Sequence, residues 1–253
     1  MYILTAVVGI EKGMNTVSKL NIRVSMGVLL LLVVIGPTVN NLLKGAGAYL
    51  SSLLSMTTEV GAFGDEGWYR TWTVFYWAWW IAWAPFTGSF IARISRGRTI
   101  GEFIKGVMFL PAGFSVIWFT VFGTLGMRLD ISVVKEAIKS TSTALFVVLQ
   151  QYPLGTVLCA VMALLIFTFL VTASNSATYV LGMYSEGGTL QPSNRSKIIW
   201  GALIAALAAI MMLGTGNGLS MLQTLSIVAA FPFIFIMLAA MPALVKALKE
   251  EKL

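Results

Sequence analysis

Six apolar runs recur along this chain, near residues 20–43, 72–92, 103–126, 154–183, 198–214 and 219–245. Each is long enough to cross the hydrocarbon core of a bilayer. That recurrence limits the possible folds more than any single motif does. With 58% hydrophobic and 11% charged residues, a soluble domain of 253 residues could not hide its apolar surface. Because the runs span the whole length, a cleaved leader is not their source. The sequence therefore predicts one all-α integral membrane domain over 1–253. A shorter run at 2–10 reads as the end of a further span. Two segments, 46–58 and 132–150, are too polar or too short to cross and read as amphipathic surface helices. Turn signals separate the elements, including Gly64-Asp65, Tyr152-Pro153, Glu186-Gly187-Gly188, Gln191-Pro192 and the stretch from Gly214 to Gly218.

Charge sets the orientation. The loops 11–23, 93–105 and 186–197, with the tail from Lys246, fall on one side of the membrane. They hold Lys12, Lys19, Arg23, Arg93, Arg96, Arg98, Lys105, Arg195, Lys197, Lys246, Lys249 and Lys252. The other side holds Lys44, Arg70, Arg128, Lys135 and Lys139. The excess marks the first side as cytoplasmic and places the C-terminus inside. The net charge of +7 thus belongs to loops between spans and does not indicate nucleic acid. All ten acids also lie outside the span interiors, so no carboxylate relay crosses the bilayer. A cationic solute would find no carboxylate partner in these spans. Histidine is absent, which removes histidine catalysis and histidine metal ligation. Cys159 stands alone, supports neither disulfide nor metal site, and reads as a small buried hydrophobe.

What such a chain would use to hold a cation is suggested by residues 72–87, WTVFYWAWWIAWAPFT. Five of its eight tryptophans lie between Trp72 and Trp83. On a regular helix Trp72, Tyr76, Trp79, Trp80 and Trp83 share an arc of about 100°, with Trp77 to one side. The stripe runs for about 16 Å, from the outer end of the span toward mid-bilayer, unlike an interfacial belt. An indole face attracts a cation without a fixed counter-charge, and aromatic cages of this kind hold quaternary ammonium groups. Pro85 predicts a bend or opening near Ala82–Pro85, with Gly88 adding local freedom.

These residues resemble the betaine/carnitine/choline transporter (BCCT) family. The similarity rests on WTVFYWAWWIAWAPF continuing into FIARISRGRTIGEF. It is supported by GIEKGMNTVSKLNI, IGPT at 35–38, LPAGFSVIWFTVFG at 110–123, FLVTASNSATYVLG at 169–182 and LSIVAAFPF at 225–233. The resemblance implies a LeuT-type core of two inverted five-helix repeats. Residues 72–245 would be the second repeat, 20–43 the last helix of the first, and 2–10 the end of the helix before it. The chain then reads as the C-terminal portion of a longer transporter.

The resemblance also implies roles. Trp80 would face a bound trimethylammonium group, with Trp79 and Trp83 lining the pathway. The Phe86 carbonyl would serve one sodium ion, and the Phe169 carbonyl with the Thr172 hydroxyl another. Ala173 stands where sodium-coupled members carry serine, and Ser174 follows about 100° away on a regular helix. Arg93, Arg96 and Arg98 would form an inner gate or a contact with anionic lipid. The 46–58 helix resembles the surface helix through which family members form homotrimers. The implied activity is sodium-coupled symport of glycine betaine by alternating access at the cell membrane, with sodium as coupling ion and no other cofactor. Carnitine or choline as substrate, and proton coupling or exchange, stay open. So does a transport-incompetent remnant, or an assembly partner of a full-length carrier. No residue pattern points to an enzyme, and no charge ring or carbonyl filter points to a channel.

Overall fold

The apolar runs become helices because backbone N–H and C=O groups in lipid must bond within their own segment. A computed structural model describes residues 15–35, 39–62, 64, 66–214 and 218–250. Its helices are α1 (Asn15–Ile35), α2 (Val39–Thr58), α3 (Glu66–Tyr69), a π-helical turn (Arg70–Val74), α4 (Phe75–Ile94), α5 (Ile100–Met127), α6 (Ile131–Ile138), α7 (Ala144–Leu149), α8 (Gly155–Ser185), α9 (Asn194–Gly214) and α10 (Gly218–Glu250). No strand occurs among the described residues. By length and composition α1, α5, α8, α9 and α10 can cross a membrane, so the chain is an all-helical, multi-pass membrane protein. The 20-residue α4 falls outside that group because its tryptophans and tyrosine are less apolar than aliphatic residues.

Two regions differ from the sequence expectation. The first span ends at Ile35, and α2 starts at Val39, taking in the expected surface helix. The residues between, 36–38, lie outside the described set. The 132–150 segment is two short helices. Between them, Ser140 and Ser142 hydroxyls meet at 3.0 Å and Thr143 Oγ1 donates to the Ser140 carbonyl at 3.3 Å, local bonds that compete with the helical ladder. The run at 2–10 lies outside the described residues.

The helices group into two compact units. One comprises Met1–Leu54 and Gly97–Asn175, the other Ser55–Arg96 and Ser176–Leu253, so α8 contributes to both. The first unit has an aliphatic core. Val28, Leu29 and Leu32 of α1 meet Val121 and Leu125 of α5, Leu149 of α7, and Leu158, Met162 and Leu165 of α8. The spacings of three, four and seven residues put each set on one helix stripe. Thr99 caps α5 through a reciprocal box with Glu102. Tyr152 donates to the Leu125 carbonyl at 2.8 Å, tying the turn before α8 to α5. Gly45 allows α2 to approach α5, since a Cβ there would lie 2.8 Å from the Thr120 methyl. Cys159 is partly buried against this core, with Sγ 3.6 Å from the Phe146 carbonyl.

In the second unit α4 packs chiefly on α10, and α9 also meets α10. The end of α8 is closed by Gly187 and Gly188, both at positive φ, with Gly188 N–H bonded to the Met183 carbonyl at 2.8 Å. This six-residue closure is a Schellman-type stop that favours glycine.

Candidate substrate face and ion-site residues

The tryptophan segment enters α4 through the π-helical turn at Arg70–Val74. Such single turns often re-aim side chains at functional positions. Here the turn changes the phase of Trp72 relative to an unbroken α-helix, yet Trp72 and Tyr76 still stack, with centroids 5.9 Å apart and planes at 9°. Phe75 stacks on Trp79 at 5.8 Å, Tyr76 meets Trp79 at 5.6 Å, and Trp83 stacks on Phe86 at 6.1 Å. Trp80 stands outside these pairs. Trp79 and Trp83 are each 42% exposed and Trp80 is 64% exposed. Trp77 differs: its indole N–H donates to the Thr57 carbonyl at 3.4 Å, anchoring α4 to the end of α2.

Pro85 does not interrupt α4, which runs through it to Ile94. Where a bend or opening is expected, near Ala82–Pro85, the helix shows no break, and the irregular turn lies upstream at Arg70–Val74. Ser89 Oγ donates to the Pro85 carbonyl at 2.8 Å and lies 2.6 Å from the Tyr184 hydroxyl, itself 3.2 Å from the same carbonyl.

The three arginines of the following segment occupy different settings. The Arg93 guanidinium sits 4.1 Å from the centroid of the Tyr179 ring, a cation–π contact. Lys197 lies 5.5 Å from the same ring. Tyr179 donates to the Leu190 carbonyl, which fixes its ring between the two cations' helices and the loop. Arg96 is exposed in the turn after α4, and Arg98 precedes the cap of α5 in the other unit. Near Lys197, the Glu186 carboxylate accepts from the Ser193 N–H at 2.9 Å and from the Ser193 and Ser196 hydroxyls. Those serine bonds, Ser193 foremost, hold its carboxyl below the usual glutamate range.

The candidate ion residues divide between the units. Phe86 is on α4 in the second, whereas Phe169 and Thr172 are on α8 in the first. Thr172 donates its hydroxyl proton to the Thr168 carbonyl at 2.9 Å. A hydroxyl bonded this way can still present oxygen to a cation. Phe169 lines a hollow of about 190 Å³ with Ser25, Phe114, Ser115, Trp118 and Phe119. Among the described residues no group of three His, Cys, Asp or Glu could hold a metal, so any ion bound here would be held by carbonyls and hydroxyls.

The family model for the betaine/carnitine/choline transporters matches residues 1–253. The chain belongs to the BCCT family. It is 38% identical to the glycine betaine transporter OpuD of Bacillus subtilis, covering 100% of this chain and 50% of that protein. It is 37% identical to an ectoine/hydroxyectoine transporter of Virgibacillus pantothenticus, over 99% of this chain and 51% of the relative. A probable glycine betaine transporter of Desulfitobacterium hafniense is 38% identical over 99% of this chain and 52% of its own length. The chain thus spans about half the length of these relatives.

In this BCCT chain the expected stripe is met in part: Trp72, Tyr76 and Trp79 are in ring contact, Trp80 is not, and Phe75 and Phe86 join the contacts; the side chains that tie α4 carry no such pattern. Tyr184, Tyr179 and Ser89 appear as ordinary helix residues in a linear string. The one available signal was Ser89 four residues after Pro85, the spacing at which a hydroxyl reaches back to a helix carbonyl.

Proposed function

We propose that this chain is the osmolyte-handling portion of a secondary transporter at the plasma membrane, carrying glycine betaine or a related quaternary-ammonium solute by alternating access. The carrying observation is the exposed indole set Trp79, Trp80 and Trp83 on one aromatic helix, in a chain whose span interiors hold no carboxylate. Each ring offers about 0.5–2 kcal/mol to a methylated ammonium group that has no N–H to donate. Glycine betaine carries its own carboxylate, so the site needs no fixed negative charge. Trp80, the ring outside the stacked pairs, faces the ammonium group; Trp79 and Trp83 line the path. Sodium drives uptake through the Phe86 and Phe169 carbonyls and the Thr172 hydroxyl. Arg93, Arg96 and Arg98 serve the inner gate and lipid contact. The LeuT-type repeat, the homotrimer through α2 and the cytoplasmic C-terminus complete this reading.

Two names among the relatives support it, since both OpuD and the Desulfitobacterium protein are named for glycine betaine. The Virgibacillus relative makes ectoine the second solute to test. The length shared with the relatives favours a second reading, in which the chain acts only alongside further sequence or a full-length carrier.

Uptake of labelled glycine betaine tests both readings, in cells lacking their own carriers and expressing the chain alone or with OpuD. Uptake by the chain alone, lost when potassium replaces sodium, supports the first. Uptake that exceeds the OpuD control only on co-expression supports the second. Uptake at the control level in both cases refutes both.

A further inference from the structure

Proline at position 85 leaves α4 with a weak point. It has no N–H to give the Ile81 carbonyl, and its ring crowds the preceding turn. Helices bend at such positions. The helix nevertheless runs through Pro85 from Phe75 to Ile94, and the Pro85 carbonyl gains side-chain contacts beyond the backbone ladder.

We infer that Tyr184 and Ser89 form a clasp across Pro85, making Tyr184 a positioning residue for Phe86 and Trp83. The clasp has three short contacts: Ser89 Oγ to the Pro85 carbonyl at 2.8 Å, the Tyr184 hydroxyl to that carbonyl at 3.2 Å, and the two hydroxyls to each other at 2.6 Å. Two hydroxyl protons serve three contacts. Either Ser89 donates to Pro85 and Tyr184 to Ser89, or Tyr184 donates to Pro85 and Ser89 to Tyr184. The two arrangements interchange by rotating O–H bonds alone, and in both the Pro85 carbonyl is held.

That carbonyl shares a planar peptide unit with the Phe86 nitrogen. Holding it restrains the backbone at Phe86, whose ring stacks 6.1 Å from Trp83. About two turns further on, Arg93 over the Tyr179 ring makes a second tie to α8. The anchor end is itself braced. Tyr184 precedes the last residue of α8, where Trp200 Nε1 donates to Ser185 Oγ at 3.1 Å and Glu186 gathers its serine bonds. Residues 85–93 of α4 are therefore tied to α8 by polar contacts, which exchange readily for other partners, while the helix as a whole packs chiefly on α10. If α4 moves between transport states, this clasp must open. That last step rests on the proposed transport function; the clasp does not.

The test is hydrogen exchange of the full chain in lipid nanodiscs, followed by mass spectrometry. Tyr184→Phe removes only the hydroxyl, Ser89→Ala removes its partner, and Ser89→Thr restores a hydroxyl. Losing one hydrogen bond should speed exchange of amides 86–94 about fivefold in Tyr184→Phe and Ser89→Ala, leaving Ser89→Thr near wild type. Amides of α5 should not change. Unchanged exchange at 86–94 overturns the clasp, as does equal acceleration in α5, which would mean general loosening. In the same nanodiscs, Tyr184→Phe should raise half-saturating sodium for glycine betaine binding about fivefold. The half-saturating betaine concentration at saturating sodium should stay within about twofold. An exchange shift in a wild-type background that binds neither solute nor ion supports the clasp while removing the transport reading.

Discussion

The α1–α5–α8 packing and the α4 helix use one kind of composition to opposite ends. In the first, Leu32, Val121, Leu125 and Leu149 are wholly buried in an aliphatic core. In the second no residue of α4 is buried; the helix packs chiefly on α10 and is further tied by an indole N–H, a tyrosine hydroxyl and a cation over a ring. Close-packed aliphatic contacts have one arrangement and resist movement. A few polar ties can break and re-form with little cost while the rings they steady stay accessible. The contrast separates a close-packed aliphatic core from an exposed aromatic surface.

The largest expected effect tests the core side. Leu125→Ala should destabilise the chain by about 2–5 kcal/mol, read as a fall in thermal midpoint in detergent, whereas Trp80→Ala should leave the midpoint nearly unchanged. Equal losses would erase the distinction. A smaller effect comes from the close approach at Gly45. Gly45→Ala should cost about 1–3 kcal/mol by driving a Cβ into the Thr120 methyl, and adding Thr120→Ser, which removes that methyl, should recover most of it. Trp77→Ala should cost about 1 kcal/mol through the lost bond to Thr57, with little change in solute binding.

The smallest effect is the pH response of the Glu186 network. Its carboxyl is held low by Ser193 and Ser196, so the bonds contribute stability that is fully present above the ordinary glutamate value of 4.5. That contribution fades as pH falls through the lowered value. Acidification from pH 6 to about pH 3 should therefore loosen the α8–α9 turn. Glu186→Gln should flatten this response, as followed by hydrogen exchange of residues 186–197.

Much of this contrast was legible in the sequence. Aliphatic runs of span length, free of acids, predict α5, α8, α9 and α10 because lipid leaves the backbone no alternative to a helix. The tryptophan spacing marked an aromatic stripe, and Trp77 was already set apart from it. What a one-dimensional pattern could not supply was pairing at long separation. Tyr184 lies 99 residues from Pro85 in sequence, and nothing in either local pattern announces their contact. Pro85 also illustrates the limit of a local rule: proline weakens a helix, but neighbours decide whether it opens. The π-helical turn at Arg70–Val74 has no proline or glycine within it and escaped notice for that reason. Likewise the 132–150 segment has an amphipathic pattern, but its central hydroxyl run splits it in two.

The indole face is tested most directly by equilibrium binding of labelled glycine betaine to the chain in nanodiscs, with Trp80→Ala and Trp77→Ala compared. Loss of the ring facing the ammonium group should weaken binding by about tenfold or more, and loss of the anchored ring by less than about threefold. Equal tolerance of the two substitutions would contradict the account.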